Sequence, residues 1–152
     1  DGEIYPLPEP FFVMATQNPI EFEGTYLLPE AQLDRFMMKF NINYPSIAEE
    51  GNILKNQLDN PLERLEVVAD VTTLQKIQEE TQNVYVSDSV VNYVLEIATH
   101  TRNHEHIFLG ISPRGTLALM KAVKALSYYE GRDFVTPDDI KNLIPYVFYH
   151  RI

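Results

Sequence analysis

Apolar side chains follow two rhythms along this chain. Phe11-Phe12-Val13-Met14-Ala15-Thr16 is a continuous run of apolar and β-forming residues that stops at Gln17-Asn18-Pro19. Its length and composition predict a strand buried on both faces, as in a parallel sheet. Residues 21–29 contain Gly24 and read as a loop, and Pro29 can open a short helix over residues 30–35. Met38, Phe40 and Ile42 then alternate with Lys39, Asn41 and Asn43, which predicts a second strand over residues 36–44.

After Pro45 the period lengthens to that of helices. Ser46 with Glu49 is a capping-box pattern that predicts a helix over residues 47–58, and Asn60-Pro61 breaks it. Thr72 with Gln75 repeats the pattern for a helix reaching Gln82, followed by a short extended piece at Val84-Tyr85-Val86. Ser87 caps a third helix with Val90, Val91, Val94, Leu95 and Ala98 on one face. Ser112-Pro113 opens a fourth, with Leu119, Met120, Val123 and Leu126 as its apolar face and Gly131 at its end. Thr136-Pro137-Asp138-Asp139 opens a fifth, with acids in the first turn where the helix dipole favours them. The expected fold is therefore mainly α with a small α/β part: two strands, then a bundle of about five helices.

The 152 residues suffice for one domain, or for a small domain joined to part of another. The net charge is −10, and residues 1–44 and 45–152 each carry −5. Neither part is a basic surface, which argues against nucleic acid as a partner. No apolar run approaches the ~20 residues that cross a bilayer, so no membrane span is expected. The absence of cysteine fits a cytoplasmic protein. The chain opens on Asp1 without a signal-peptide pattern and reads as an excised piece.

Three residues are candidates for phosphate chemistry. Asn18 lies just beyond the C-terminal end of the first predicted strand, where open α/β sheets bind ligands; its amide could orient a water, or Asn18-Pro19 could be a plain turn. Arg35 ends the short helix, and its planar guanidinium matches phosphate oxygens; the alternative is an ordinary pair with Asp34 or Glu30. Arg114 stands in the first turn of the fourth helix, an end that favours anions, although a stray Arg at a helix start is common. His100, His104 and His106 with Glu105 straddle a helix end and a loop, which suits a solvated terminus better than a metal site, so no metal site is expected. No Gly-Lys pair occurs, so the chain has no G-x-x-x-x-G-K-[ST] phosphate loop. Nor does an apolar strand end in Asp-Glu to hold Mg²⁺.

Together these stretches resemble the MoxR family of AAA+ ATPases. Residues 12–21 (Phe-Val-Met-Ala-Thr-Gln-Asn-Pro-Ile-Glu) are similar to the sensor-1 strand. Gly24-Thr25-Tyr26 and then Leu28-Pro29-Glu30-Ala31-Gln32-Leu33-Asp34-Arg35-Phe36 are similar to the family's next signature. Thr101-Arg102 and Leu109-Gly110-Ile111-Ser112-Pro113-Arg114 resemble the sensor-2 region, while Asp138-Asp139-Ile140 and His150-Arg151 fit the end of the lid. One departure is Gly115, where family members often have Ala.

The resemblance implies that residues 1–44 are the end of a parallel-sheet ATPase core and residues 45–152 its helical lid. Asn18 would be the sensor-1 residue near the γ-phosphate and the attacking water. Arg35 would be the arginine finger acting on a neighbouring subunit's nucleotide, and Arg114 the sensor-2 arginine of its own. ATP and Mg²⁺ would be held by an upstream loop and acids preceding Asp1, with neither expected on this fragment, which should be inactive alone. The parent would be a homo-oligomeric, hexameric ring in the cytoplasm that remodels client proteins as a chaperone, some clients carrying a von Willebrand A domain. Two other readings compete. A non-enzymatic helical interaction module has no need of the 30–36 signature, and a nucleic-acid-binding lid sits poorly with the acidic balance.

Overall fold

A computed structural model of the protein describes residues 2–17, 28–55 and 61–152. Among these residues six helices follow in order: α1 (Glu30–Leu33), α2 (Ile47–Lys55), α3 (Val71–Gln82), α4 (Asp88–Asn103), α5 (Pro113–Tyr129) and α6 (Pro137–Val147), with a 3-10 turn at Pro61–Arg64 before α3. The mainly helical architecture agrees with the pattern of apolar positions.

The two expected strands do not form ladders. Residues 11–17 and 38–46 adopt no regular secondary structure, and the sole strand-like pairing among the described residues is an isolated parallel bridge between Tyr85 and Phe134. A strand needs a neighbour to satisfy its backbone, and a buried one needs covering layers. The described residues supply neither for residues 11–16: Phe12 is 79% exposed and Met14 78%. In the second segment Met38 packs on the core, whereas Phe40, Ile42 and Tyr44 remain exposed.

α4, α5 and α6 pack on one another, α3 adds to α5, and neither α1 nor α2 packs against another helix among the described residues. The core follows from spacing. Val90, Val94 and Ala98 of α4 face Leu119, Ala122 and Val123 of α5 and Ile140 and Val147 of α6, with Ile111, Val135 and Phe148 closing the ends. The sets recur at three, four or seven residues, one or two turns, and so each lies on one helix face. Val91 and Leu95, assigned to the same face of α4 by pattern, are exposed, so the buried stripe is narrower than expected. α3 begins at Val71 because the Asp70 carboxylate accepts the Thr73 N–H at 2.7 Å, so the cap lies ahead of the expected Thr72.

The bundle receives residues 34–39 across one end. The Lys39 N–H donates to the Tyr146 carbonyl at 2.8 Å and the Arg151 guanidinium to that of Val147, so carbonyls of the last turn of α6 find partners outside the helix ladder. This contact brings the turn after α1 beside the first turn of α5.

Candidate functional site

The local sequence around Ser112 sets the start of α5. The Ile111 N–H donates to Thr101 Oγ1 at 3.0 Å and the Ile111 carbonyl accepts from Arg102 Nε at 2.8 Å, tying the connecting strap to the end of α4. Ser112 is then the N-cap, its hydroxyl accepting the Gly115 N–H at 3.1 Å, and Pro113 takes the first helical position. Arg114 follows, with a side chain 62% exposed.

Asp34 is the meeting point. Its carboxylate accepts from Ser112 Oγ at 3.0 and 3.1 Å and from Arg151 Nε at 3.1 Å, and Arg114 Nη1 lies 3.7 Å away. A carboxylate beside the start of α5 is favoured by the free N–H groups and the helix dipole there. The two arginines differ sharply. Arg151, with a side chain 2% exposed, also donates to the carbonyls of Asp34 (3.2 Å), Met37 (3.3 Å), Phe36 and Val147. Burial pushes the Arg151 guanidinium down in pKa and the adjacent Asp34 carboxylate opposes that shift. Arg114 is solvated, and its one ion-pair partner among the described residues is Asp34.

Arg35 projects from the turn that Arg151 grips. Its N–H donates to the Gln32 carbonyl at 3.1 Å, and its exposed side chain has no hydrogen-bond or ion-pair partner among the described residues. The pairing with Asp34 or Glu30 that the sequence left open is therefore absent there, since Asp34 is engaged by Arg151, Ser112 and Arg114. His150 completes the junction with Nε2 3.3 Å from the Phe36 carbonyl, and its Nδ1 is buried without a hydrogen-bond partner among the described residues. Burial first, then the neighbouring Arg151 charge, holds the His150 imidazole below its ordinary pKa.

Of the three sequence candidates, the structure thus brings Arg114 and the Arg35 turn together, while Asn18 lies outside the described residues. Asp34, Ser112 and Arg151 form the junction, and sequence reasoning gave them no role in it. Asp34 and Arg151 stand 117 residues apart, so no local spacing could pair them; the one hint was that both lie in stretches resembling a family signature. The histidines do not converge. The His104 and His106 rings are 5.6 Å apart and His106 faces Glu105 at 3.5 Å in the open. Among the described residues no group of three or more His, Asp or Glu could hold a metal ion. The solvated Arg114 guanidinium beside an otherwise neutralised carboxylate, and the exposed Arg35 on the adjoining turn, suit phosphate oxygens, with no acidic cluster for Mg²⁺ among the described residues.

Comparison with known proteins bears on this arrangement. Residues 1–38 match the ATPase family associated with various cellular activities (AAA), and residues 99–152 match the AAA lid domain. The chain is 50% identical over its whole length to the protein YeaC of Bacillus subtilis (strain 168), of which it covers 48%. It is 39% identical over 99% of its length to the chaperone MoxR1 of Mycobacterium tuberculosis, covering 42% of that protein. A crystal structure of a candidate ATPase from Cytophaga hutchinsonii superposes with a TM-score of 0.89 at 35% identity, over 97% of this chain and 48% of that one. The chain thus spans about half the length of the curated relatives it matches.

Proposed function

From the premise that the chain belongs to the MoxR-like AAA+ ATPases, we propose that it supplies the nucleotide-sensing part of an ATP-hydrolysing, ring-forming chaperone. Residues 1–44 are the end of the ATPase core and residues 45–152 the lid. Asn18 orients the attacking water, Arg35 reaches the nucleotide of the adjacent subunit, and Arg114 contacts the nucleotide of its own. Mg²⁺-ATP, held by residues upstream of this chain, supplies the phosphoryl bond that is broken. The chain's own residues position water and neutralise developing charge on the phosphoryl oxygens, the main tasks of protein groups in such transfers.

The observation that carries this reading is the junction at Asp34. The solvated Arg114 guanidinium at a helix start pairs with the Asp34 carboxylate, and Arg35, unpartnered among the described residues, follows Asp34 on the gripped turn. The ring is a hexamer in the cytoplasm, and its work is the remodelling of client proteins, among them proteins with a von Willebrand A domain. The relative MoxR1 is named a chaperone, which favours this use of hydrolysis. No described helix is long and apolar enough to cross a membrane.

The test is kinetic and uses the full-length protein. Arg35→Ala lowers kcat by roughly 10³-fold or more, the range for arginine fingers, while nucleotide binding is kept. Loss of binding with turnover spared would return Arg35 to a structural role. Asn18→Ala slows hydrolysis in the same assay, and unchanged activity would return it to a turn.

A further inference from the structure

Asp34 is shared by groups of unequal permanence. Arg151 is buried and bound to four backbone carbonyls besides, so its hold on Asp34 is part of the fold. Ser112 Oγ reaches both carboxylate oxygens while capping α5. Arg114 stands at 3.7 Å, beyond direct hydrogen bonding, on a solvated side chain. An ion pair of this kind is weak, so a doubly or triply charged phosphate group outcompetes one carboxylate for the guanidinium. The residue following Asp34 is Arg35, in a turn closed by the Arg35 N–H on Gln32 (3.1 Å) and the Phe36 N–H on Leu33 (3.0 Å).

We propose that Asp34 is a positioning residue that couples the two arginines: it retains Arg114 while the subunit's own nucleotide site is empty and, on losing Arg114 to phosphate, loosens the Arg35 turn, which Ser112 and Arg151 continue to hold. The inference rests on the roles proposed above for Arg35 and Arg114. An empty subunit keeps its Arg35 turn tied to its own lid. A loaded one keeps the Arg151 and Ser112 contacts and loses the Arg114 one, a looser hold from which the Arg35 side chain extends toward a neighbour. The linkage is reciprocal: whatever Arg114 loses at Asp34 is subtracted from nucleotide affinity, so removing the carboxylate's charge returns it.

The test measures ADP binding to the full-length protein by calorimetry in a double-mutant cycle of Asp34→Asn and Arg114→Ala. Asparagine keeps one acceptor oxygen for Ser112 and Arg151, replaces the other by an NH2 group and removes the charge. Asp34→Asn is expected to tighten ADP binding by about two- to fivefold, the worth of an exposed pair, and to change nothing in the Arg114→Ala background. A purely structural role predicts weaker binding instead. Unchanged or weakened affinity, or the same gain without Arg114, overturns the coupling. If Arg114→Ala alone leaves ADP affinity intact, the phosphate role of Arg114 has failed and the coupling falls with it. A second measurement avoids altering Asp34. ADP should speed hydrogen exchange at the Arg35 and Phe36 amides by about two- to fivefold in the native protein and not in Arg114→Ala. Equal or slower exchange on ADP binding contradicts the loosening.

Discussion

Gly110 lies so close to α4 that a Cβ there would stand 2.5 Å from Arg102 Cα and 2.8 Å from its backbone nitrogen. Backbone atoms cannot step aside as a side-chain tip can. The position matters because the next residue, Ile111, makes both hydrogen bonds that fix the strap to α4 and so place the Ser112 cap. Gly110→Ala should therefore destabilise the protein by about 2–3 kcal/mol, as overpacking does, measured as a lower urea midpoint at unchanged slope. Gly115 is a milder case. A Cβ there would meet Ile111 Cγ2 at 3.0 Å and Arg151 Cδ at 3.1 Å, both side-chain atoms. Sequence alone offered only helix propensity to judge this departure from the alanine common in the family. The structure adds that glycine here leaves room for the arginine that grips the Arg35 turn.

The start of α6 shows how much a single element can carry. Thr136 Oγ1 accepts the Asp139 N–H at 3.4 Å while the Asp139 carboxylate accepts the Thr136 N–H at 2.7 Å, a closed capping box. The same carboxylate receives Arg132 at 2.7 and 2.9 Å and Ser127 Oγ at 3.2 Å, joining the end of α5 to α6. Burial alone would raise the Asp139 pKa; the hydrogen bonds from Arg132 and Thr136 outweigh it and hold the carboxyl at about 2. A carboxyl depressed in the folded state stabilises fully above its unfolded pKa of ~3.9. That contribution, on the order of 1–2 kcal/mol after screening by solvent, is lost as pH falls from about 4 toward 2. Acid titration of stability should show this loss, and Asp139→Asn should be less stable at pH 7 and flatter over that window. Such caps were legible in the sequence at Ser87, Ser112 and Thr136 because donor and acceptor lie three residues apart. Two kinds of feature were not. A strand such as residues 11–16 depends on neighbours that the described residues do not supply, and the Asp34–Arg151 pair depends on how α5 and α6 pack.

At the scale of the whole molecule, the sequence divides at Pro45 and the packing divides later. Every fully buried apolar side chain among the described residues lies between Val84 and Phe148. Ile47, Ile53 and Leu54 of α2 are exposed, and α3 joins α5 through Tyr128 on Glu80 and Lys124 Nζ on the Gln82 carbonyl at 2.8 Å. A chain of residues 70–152 therefore retains the core and the Asp70 cap of α3, and should unfold cooperatively. What it loses is the 34–39 turn. Arg151 then exchanges Asp34 and the Asp34, Phe36 and Met37 carbonyls for water, and Met38 leaves the core. Because the truncation also opens the guanidinium to solvent, no unpaired charge stays buried, and the cost should be about 1–3 kcal/mol, typical of lost hydrogen bonds to a charged group. Urea unfolding followed by circular dichroism, with Arg151→Ala made in both chains, separates the contributions. In the full chain the substitution should be costly, since it strips the turn of its anchor. In the 70–152 chain it should cost far less, since there Arg151 retains only the Val147 carbonyl. Equal losses in both would mean that Arg151 serves α6 itself and that the Arg35 turn merely rests upon it.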